Sequence, residues 1–238
     1  MSRPHMGDLP YGKAIFSCVN PGQVALTFDD GPWYWTSQIV EYLEPLHIKA
    51  TFFVTGNNPW LNRRIDTDPT YRELLQHMHI KGHQIASHTW SHKHLKDIGR
   101  EGRFKEMVYN EMAITDVIGV PPAYMRPPYG EWRDTQEMED LDALGYHVIM
   151  YNVDTKDYKH DTEEDIDASI KLFKESIRED GQGSYIILAH DTHQWTAEKL
   201  VPAMVHVLKD RGYELVTVGE CLNDSDWNWY RDPYKFEH

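Results

Sequence analysis

The stretch Val24-Ala-Leu-Thr-Phe-Asp-Asp-Gly-Pro32 decides the fold and marks the first candidate site. An apolar, β-prone run ends there in two adjacent acids, and Gly31-Pro32 follows directly. Such a run, bounded by glycine and proline, is typical of a strand that ends in a loop. Two neighbouring carboxylates repel each other, so a fold that holds them close must supply a cation, a proton or hydrogen bonds. The alternative is a solvated turn, because Asp-Asp-Gly-Pro also suits turn geometry.

Segments with strand and helix patterns alternate along the rest of the chain. Strands are predicted at residues 24–28, 50–54, 82–86, 123–125, 147–152, 185–189 and 214–218. Helices are predicted at residues 36–46, 71–80, 104–118, 135–144, 161–177 and 197–209. Regular alternation indicates parallel βα units, and this number of strands favours an α/β barrel over an open sheet. We therefore expect a distorted, incomplete barrel of the (β/α)7 type, formed by one domain over residues 1–238.

Composition narrows the classes of function. The net charge of −14 argues against nucleic acid as a partner, because binding phosphate requires a basic surface. No apolar run approaches the roughly 18 residues of a membrane span, and no signal peptide is visible.

Residues 1–6 are expected to be a leader added for expression, so a native secretion signal could have been removed. Cys18 and Cys221 either form a disulfide, worth about 4–5 kcal/mol in the chain-entropy model, or remain buried thiols.

Polar clusters follow the predicted strands at their carboxyl ends, where barrel enzymes build their sites. They are Asp29-Asp30, His88-Thr-Trp-Ser-His92, Arg126-Pro-Pro-Tyr129, Asp154-Thr-Lys-Asp157 and His190-Asp191. The spacing of His88 and His92 predicts a helical turn with both imidazoles on one face, where they can bind one metal. With one acid of the pair as third ligand, the set leaves a coordination position open for water, as in catalytic zinc sites.

A metal needs only one acid of the pair, and the other is expected to act as general base. Arg126 would help to balance its charge. His190 is the candidate general acid, and a neighbouring carboxylate would keep it protonated, for which Asp154 is the best candidate. From the residues alone, Asp29 and Asp30 could exchange their two roles.

These clusters match, in order, the five motifs of the polysaccharide deacetylases, which are the family 4 carbohydrate esterases with the NodB homology domain. The matching segments are Thr27–Pro32, His88–His92, Arg126–Tyr129, Asp154–Tyr158 and Leu188–His190. The sequence Thr-Lys-Asp-Tyr158, together with the distant Cys18 and Cys221, is most similar to secreted fungal chitin deacetylases.

The resemblance implies a role for each matching residue. Asp30, His88 and His92 would hold a divalent metal, usually zinc, with cobalt as a possible substitute. Asp29 would be the catalytic base. The remaining roles follow the same motifs: Arg126 orients the base, the Tyr129 N–H joins the oxyanion hole, Asp154 tunes the acid His190, and Leu188 and Tyr158 form the pocket for the acetate methyl. Many family members carry Trp at the position of Tyr158.

The activity implied is N-deacetylation of chitin or chitooligosaccharides by a secreted protein, extracellular or in the cell wall, which we expect to be a monomer. Peptidoglycan N-acetylglucosamine and acetylxylan are alternative substrates. A glycosidase with paired acids would leave the two histidines unexplained, and a carbohydrate-binding module would tolerate loss of the base or acid.

Trp33 and Trp60 could stack on sugar rings or simply pack at the rim. The acidic runs 137–142 and 161–167 are interpreted as solvated helix faces.

Overall fold

The structure, a computed structural model, describes residues 3–232. Its main sheet has nine strands, and two further short strands, β4 and β5, form an antiparallel pair. The strands in chain order are β1 (Ala14–Ile15), β2 (Gln23–Asp29), β3 (Thr51–Val54), β4 (Asn57–Asn58), β5 (Arg63–Arg64), β6 (Gln84–Ser87), β7 (Tyr124–Met125), β8 (His147–Ile149), β9 (Val153–Asp154), β10 (Tyr185–His190) and β11 (Glu214–Val216).

The order of strands in the main sheet is β1-β8-β7-β6-β3-β2-β10-β9, and every pairing is parallel. β11 pairs with the first half of β2, beside the stretch that pairs with β3. Over residues 3–232, no ladder joins β1 to β9, so the curled sheet stays open. The expected incomplete α/β barrel is confirmed. The predicted strand at 147–152 is wrong in its extent, since β8 ends at Ile149 and β9 starts at Val153.

The six predicted helices are all present, with shifted ends, and one more short helix follows β11. They are α1 (Thr36–Leu43), α2 (Pro69–Ile80), α3 (Arg100–Ile118), α4 (Thr135–Ala143), α5 (Ile166–Ser176), α6 (Val201–Asp210) and α7 (Val218–Cys221). Within this part of the chain, no helix has the length and apolar character needed to cross a membrane.

Strand β2 lies between two clusters of buried apolar side chains. Its residues Val24, Leu26 and Phe28 pack in the large cluster that includes side chains of α1 and α6. Ala25 faces a second cluster inside the curl of the sheet. Because successive side chains on a strand point to opposite faces, Asp29 also points inward. The last inward position of β2 therefore carries a carboxylate at the carboxyl edge of the sheet.

Cys18 and Cys221 form a disulfide, so the predicted bond is present. It lies at the amino edge of the sheet, because α7 there donates its Val218 and Gly219 N–H groups to side chains of β3 and β6. These acceptors are Thr51 Oγ1 and Gln84 Oε1, at the first residues of their strands. The disulfide and the acid pair thus lie at opposite edges of the sheet.

Residues 3–6, within the expected leader, lie against the rest of the chain. The Arg3 guanidinium is 2.6 Å from the Glu111 carboxylate, and the His5 ring stacks on Tyr11. Met1 and Ser2 lie outside the described residues.

Candidate active site

The acid pair lies where β2 turns into the following loop. Asp29 is the last residue of the strand, and Asp30 adopts a left-handed backbone conformation with φ of 75°. Few residues other than glycine adopt this conformation. It redirects the chain before Gly31, so that both carboxylates line one cleft of about 380 Å³. Side chains alternate along a strand, so two adjacent acids can share a site only where the strand turns, and this turn is present at Asp30.

Asp30, His88 and His92 bring one oxygen and two nitrogens together. Asp30 Oδ1 lies 3.2 Å from His88 Nε2 and 3.0 Å from His92 Nε2. This oxygen is buried, yet it has no hydrogen-bond partner among residues 3–232. The three ligand atoms all lie within 4.8 Å of one another. One carboxylate and two imidazoles are a donor set that zinc and similar divalent metals accept, so these residues fit a metal ion.

The electrostatics of this cluster also suit a cation. Burial alone would raise the pKa of Asp30, but its contacts with the two imidazoles lower that pKa well below the usual value. Burial would lower the pKa of His88, whereas the nearby charges of Asp29 and Asp30 raise it. The carboxylate of Asp30 is therefore stabilised in its charged form by nearby positive charge, and a bound metal ion can supply that compensation.

The segment that carries the two histidines is a loop, and the predicted helical turn is wrong. Thr89 and His92 have φ values of 71° and 55°, which no right-handed helix contains. The His92 N–H donates to Thr89 Oγ1 at 3.2 Å. His88 Nδ1 lies 2.8 Å from the backbone oxygen of Arg126. Donation from this nitrogen leaves Nε2 of His88 as the atom directed at Asp30, an arrangement common at metal-binding histidines.

Arg126 fills the interior of the curled sheet and fixes Asp29. Its Nη1 lies 2.7 Å from Asp29 Oδ1 and 2.7 Å from Thr27 Oγ1. Its remaining nitrogens donate to the backbone oxygens of Ile149 and Met150. The second oxygen, Asp29 Oδ2, is directed towards the candidate metal-binding triad and lies 3.9 Å from His88 Nε2. The expected pairing of Arg126 with one acid of the pair is therefore present, and that acid is Asp29.

His190, at the end of β10, pairs with Asp157. Its Nδ1 lies 2.8 Å from Asp157 Oδ1, and its backbone N–H donates to Asp157 Oδ2 at 2.7 Å. Thr196 Oγ1 donates to the same carboxylate at 2.8 Å. Burial alone would lower the pKa of His190, but the charge and hydrogen bond of Asp157, with the charges of Asp30 and Asp29, raise it to about 10. His190 is therefore held in its protonated form.

The expectation that Asp154 contacts His190 is wrong. Asp154 Oδ1 instead accepts from the Lys156 N–H at 2.9 Å, and Oδ2 accepts from the Tyr158 hydroxyl at 3.2 Å. Lys156 has a φ of 55°, and this bend brings Asp157 back over the end of β10. The sequence places both acids next to the strand end, and only the bend decides which one reaches the histidine.

Tyr129 lies beside the candidate metal-binding triad and has a left-handed backbone conformation with φ of 60°. Its backbone N–H donates to no group within residues 3–232. Its ring stacks on His94 at 3.6 Å between centroids, and its hydroxyl donates to the backbone oxygen of His92 at 3.3 Å. The side chain thus holds the histidine loop, while the N–H remains available to a ligand in the cleft.

The walls of the cleft contain most of the predicted substrate-binding side chains. Leu188, Tyr158 and Trp60 line it, and the Tyr158 ring lies edge-on to His190 at 5.4 Å. Tyr151 also lines the cleft and was not predicted, because it falls inside the strand predicted at 147–152. Trp33 is not among the lining residues; its ring packs edge-on against Tyr34.

A parallel half-barrel whose carboxyl edge carries a triad that fits a metal ion, a buried Arg–Asp pair and a histidine paired with a carboxylate is typical of metal-dependent hydrolases. The chain belongs to the polysaccharide deacetylase family, whose model matches residues 17–149. The second half of the site, with Asp157 and His190, lies beyond that match.

Individual relatives extend the likeness to the rest of the chain. A chitin deacetylase of Colletotrichum lindemuthianum is 40% identical, over 94% of this chain and 89% of the relative. The solved structure of the chitin deacetylase from that fungus has a TM-score of 0.91 at 38% identity, covering 97% of this chain and all of the other. A probable peptidoglycan-N-acetylglucosamine deacetylase of Arthroderma benhamiae is 38% identical, over 94% of this chain and 49% of the relative.

Proposed function

We propose that this protein removes acetyl groups from the N-acetylglucosamine residues of chitin or chitooligosaccharides by hydrolysis. The observation that carries the proposal is the convergence of three groups in one cleft: the triad of Asp30, His88 and His92, the carboxylate of Asp29, and the protonated His190. The likeness to chitin deacetylases over nearly the whole chain supports the substrate.

Asp30, His88 and His92 would hold the metal, which we propose to be zinc, with cobalt as a substitute. A bound divalent metal polarises a carbonyl oxygen and makes a nearby water a better nucleophile. The unbonded Oδ1 of Asp30, close to both imidazole nitrogens, supports this assignment and favours Asp30 over Asp29 as the ligand.

Asp29 acts as the general base. Arg126 occupies its Oδ1, and Oδ2 faces the cleft, where it can take the proton of the attacking water. The oxygen of that water bonds to the acetyl carbon. The Tyr129 N–H donates to the negative charge that develops on the former carbonyl oxygen, and one such donor typically contributes about 3–4 kcal/mol.

His190 acts as the general acid. Asp157 holds its Nδ1, which leaves Nε2 to donate a proton to the departing nitrogen. The C–N bond then breaks, and the products are acetate and a glucosamine residue. An amine is a poor leaving group without this proton, so His190 should matter more for amides than for esters.

The remaining cleft residues bind the substrate. Leu188 and the ring of Tyr158 form an apolar wall that suits the acetyl methyl. Trp60, with 56% of its surface exposed and its ring 5.0 Å from that of His92, can stack on a sugar ring. Trp33 lies outside the lining of this cleft. The disulfide and the fungal relatives fit a secreted protein.

Peptidoglycan N-acetylglucosamine is the second candidate substrate, favoured by the relative in Arthroderma benhamiae. The experiment compares chitooligosaccharides of defined length, peptidoglycan and acetylxylan, with products identified by mass spectrometry. We expect loss of acetyl groups from chitooligosaccharides with the sugar chain intact. Cleavage of the chain would indicate a glycosidase, and faster release of acetate from either other polymer would replace chitin as the substrate. Asp29→Asn serves as the inactive control.

A further inference from the structure

The loop that carries His92 is attached to helix α3. The Trp90 N–H donates to the backbone oxygen of Glu106 at 2.9 Å. Ser91 donates twice to the side chain of the same residue: its N–H to Oε2 at 2.7 Å and its hydroxyl to Oε1 at 2.6 Å. Glu106 is only 4% exposed. One buried glutamate thus holds two consecutive residues immediately before His92.

The conformation of this loop requires such support. Thr89 and His92 lie in the left-handed region, which costs roughly 1–2 kcal/mol for each residue with a side chain. The hydrogen bond from the His92 N–H to Thr89 Oγ1 is one contact that offsets this cost. Hydrogen bonds to an ionised carboxylate are about twice as strong as neutral ones. The two bonds from Ser91, together with the Lys93 ammonium 3.4 Å from Glu106 Oε1, therefore attach the segment on both sides of His92 to Glu106.

The same face of α3 also supports the strand that leads to His88. Asn110, one helical turn after Glu106, donates its Nδ2 to the backbone oxygen of Val54 at 2.9 Å and to Ser87 Oγ at 2.8 Å. Ser87 directly precedes His88. Helix α3 therefore contacts the residue before each histidine, and Glu106 is its charged contact.

We propose that Glu106 is a positioning residue for the metal site: through Ser91 it holds His92 where the imidazole can share a metal with Asp30 and His88. The proposal rests on the metal site described under the proposed function. Glu106 itself does not line the cleft. Its contribution is to the geometry of the site before the metal binds, so its loss should weaken metal binding more than it weakens the fold.

The test measures the zinc dissociation constant of Glu106→Gln by competition with a chromophoric chelator. Glutamine keeps the volume of glutamate but replaces one acceptor oxygen by an NH2 group, which cannot accept from Ser91. We expect zinc binding to weaken about 10-fold or more, the range seen when a residue that orients a metal ligand is changed. The matched control is Glu101→Gln on the same helix. Among residues 3–232 its carboxylate pairs with the exposed Lys105 at 2.6 Å, so its loss should leave zinc binding unchanged.

Ser91→Ala tests the route of the effect. It removes the hydroxyl contact and keeps the N–H contact, so we expect a smaller loss of zinc affinity, and little further loss when it is added to Glu106→Gln. A purely structural role would instead lower the melting temperature of the metal-free protein without weakening zinc binding, and that result would overturn the proposal. If Glu106→Gln does not fold, Ser91→Ala decides: wild-type zinc affinity rejects the proposal and weaker affinity supports it. Failure of the wild-type protein to bind zinc would instead reject the metal site.

Discussion

The two histidine clusters on opposite sides of the cleft differ in what completes them. At His190, protein groups are sufficient: Asp157 accepts from Nδ1, from the backbone N–H and from Thr196. At Asp30, a buried oxygen lies beside two imidazole nitrogens without a hydrogen bond among the described residues. The contacts at His190 set its protonation state, whereas the Asp30 side brings three candidate metal-ligand atoms together. Chelators should therefore reduce activity through the Asp30 side of the cleft, and a change of pH should act through the protonation of His190.

Removing the metal should have the largest effect. We expect activity to fall by about three orders of magnitude or more, since a metal ion contributes several kcal/mol to stabilising the transition state. Zinc or cobalt should restore it. Acetate release is measured before and after chelation, with metal content followed by elemental analysis. Full activity in a sample free of metal would contradict the metal-dependent mechanism.

Asp29→Asn should nearly abolish turnover while the metal stays bound. Loss of a general base typically costs about 10²–10⁴-fold, and the amide cannot accept the proton of the attacking water. Turnover is measured on a chitooligosaccharide, alongside the zinc dissociation constant. Near-wild-type turnover would mean that another group is the base, and lost zinc binding would mean that Asp29 is itself a ligand.

Asp157→Asn should act through pH. The charge of Asp157 helps to hold the pKa of His190 at about 10, so its removal lowers that pKa. Catalysis needs the protonated form, which exists below the pKa, so the alkaline limb of the pH–rate profile should move to lower pH. The loss at alkaline pH should reach up to about 10²-fold. Asp154→Asn is the matched control, since its carboxylate has no contact with His190 in the described part of the chain. An unchanged alkaline limb in Asp157→Asn would contradict the proposal that Asp157 keeps the general acid His190 protonated.

Tyr158→Phe should have the smallest effect. It removes the hydroxyl that donates to Asp154 at 3.2 Å and keeps the ring that faces His190. A typical hydrogen bond contributes about 1 kcal/mol, so we expect less than about tenfold loss in kcat/KM. Tyr158→Trp, the residue common in this family, should be tolerated equally. A loss as large as that of Asp157→Asn would assign the hydroxyl a part in proton transfer.

The position of the candidate site could be predicted from the sequence because the carboxyl ends of parallel strands lie at one edge of the sheet. Asp29-Asp30, His88 and His190 each follow a strand with a clear apolar pattern, so their meeting could be predicted without coordinates. The turn at Asp30 could also be predicted, because alternation along a strand would otherwise separate the two carboxylates.

Details that depend on distant partners could not be predicted. The choice of Asp157 over Asp154 depends on the bend at Lys156. The solvated interpretation of the run 137–142 is wrong for two acids: Asp140 is buried against Arg103 of α3, 2.7 Å from its Nε. Glu137 is also buried, and burial, with the charges of Glu131 and Asp134, raises its pKa to about 7. Local pattern carries no information on such long-range contacts.

The bond between Cys18 and Cys221 brings their Cα atoms to 4.8 Å at the amino edge of the sheet, opposite the cleft. It joins the segment that precedes β2 to helix α7, which follows β11. The bond closes a loop with a sequence separation of 203, and this loop contains every residue of the candidate site. Because it lies at the edge of the sheet opposite the cleft, this covalent closure does not narrow the opening through which a ligand enters.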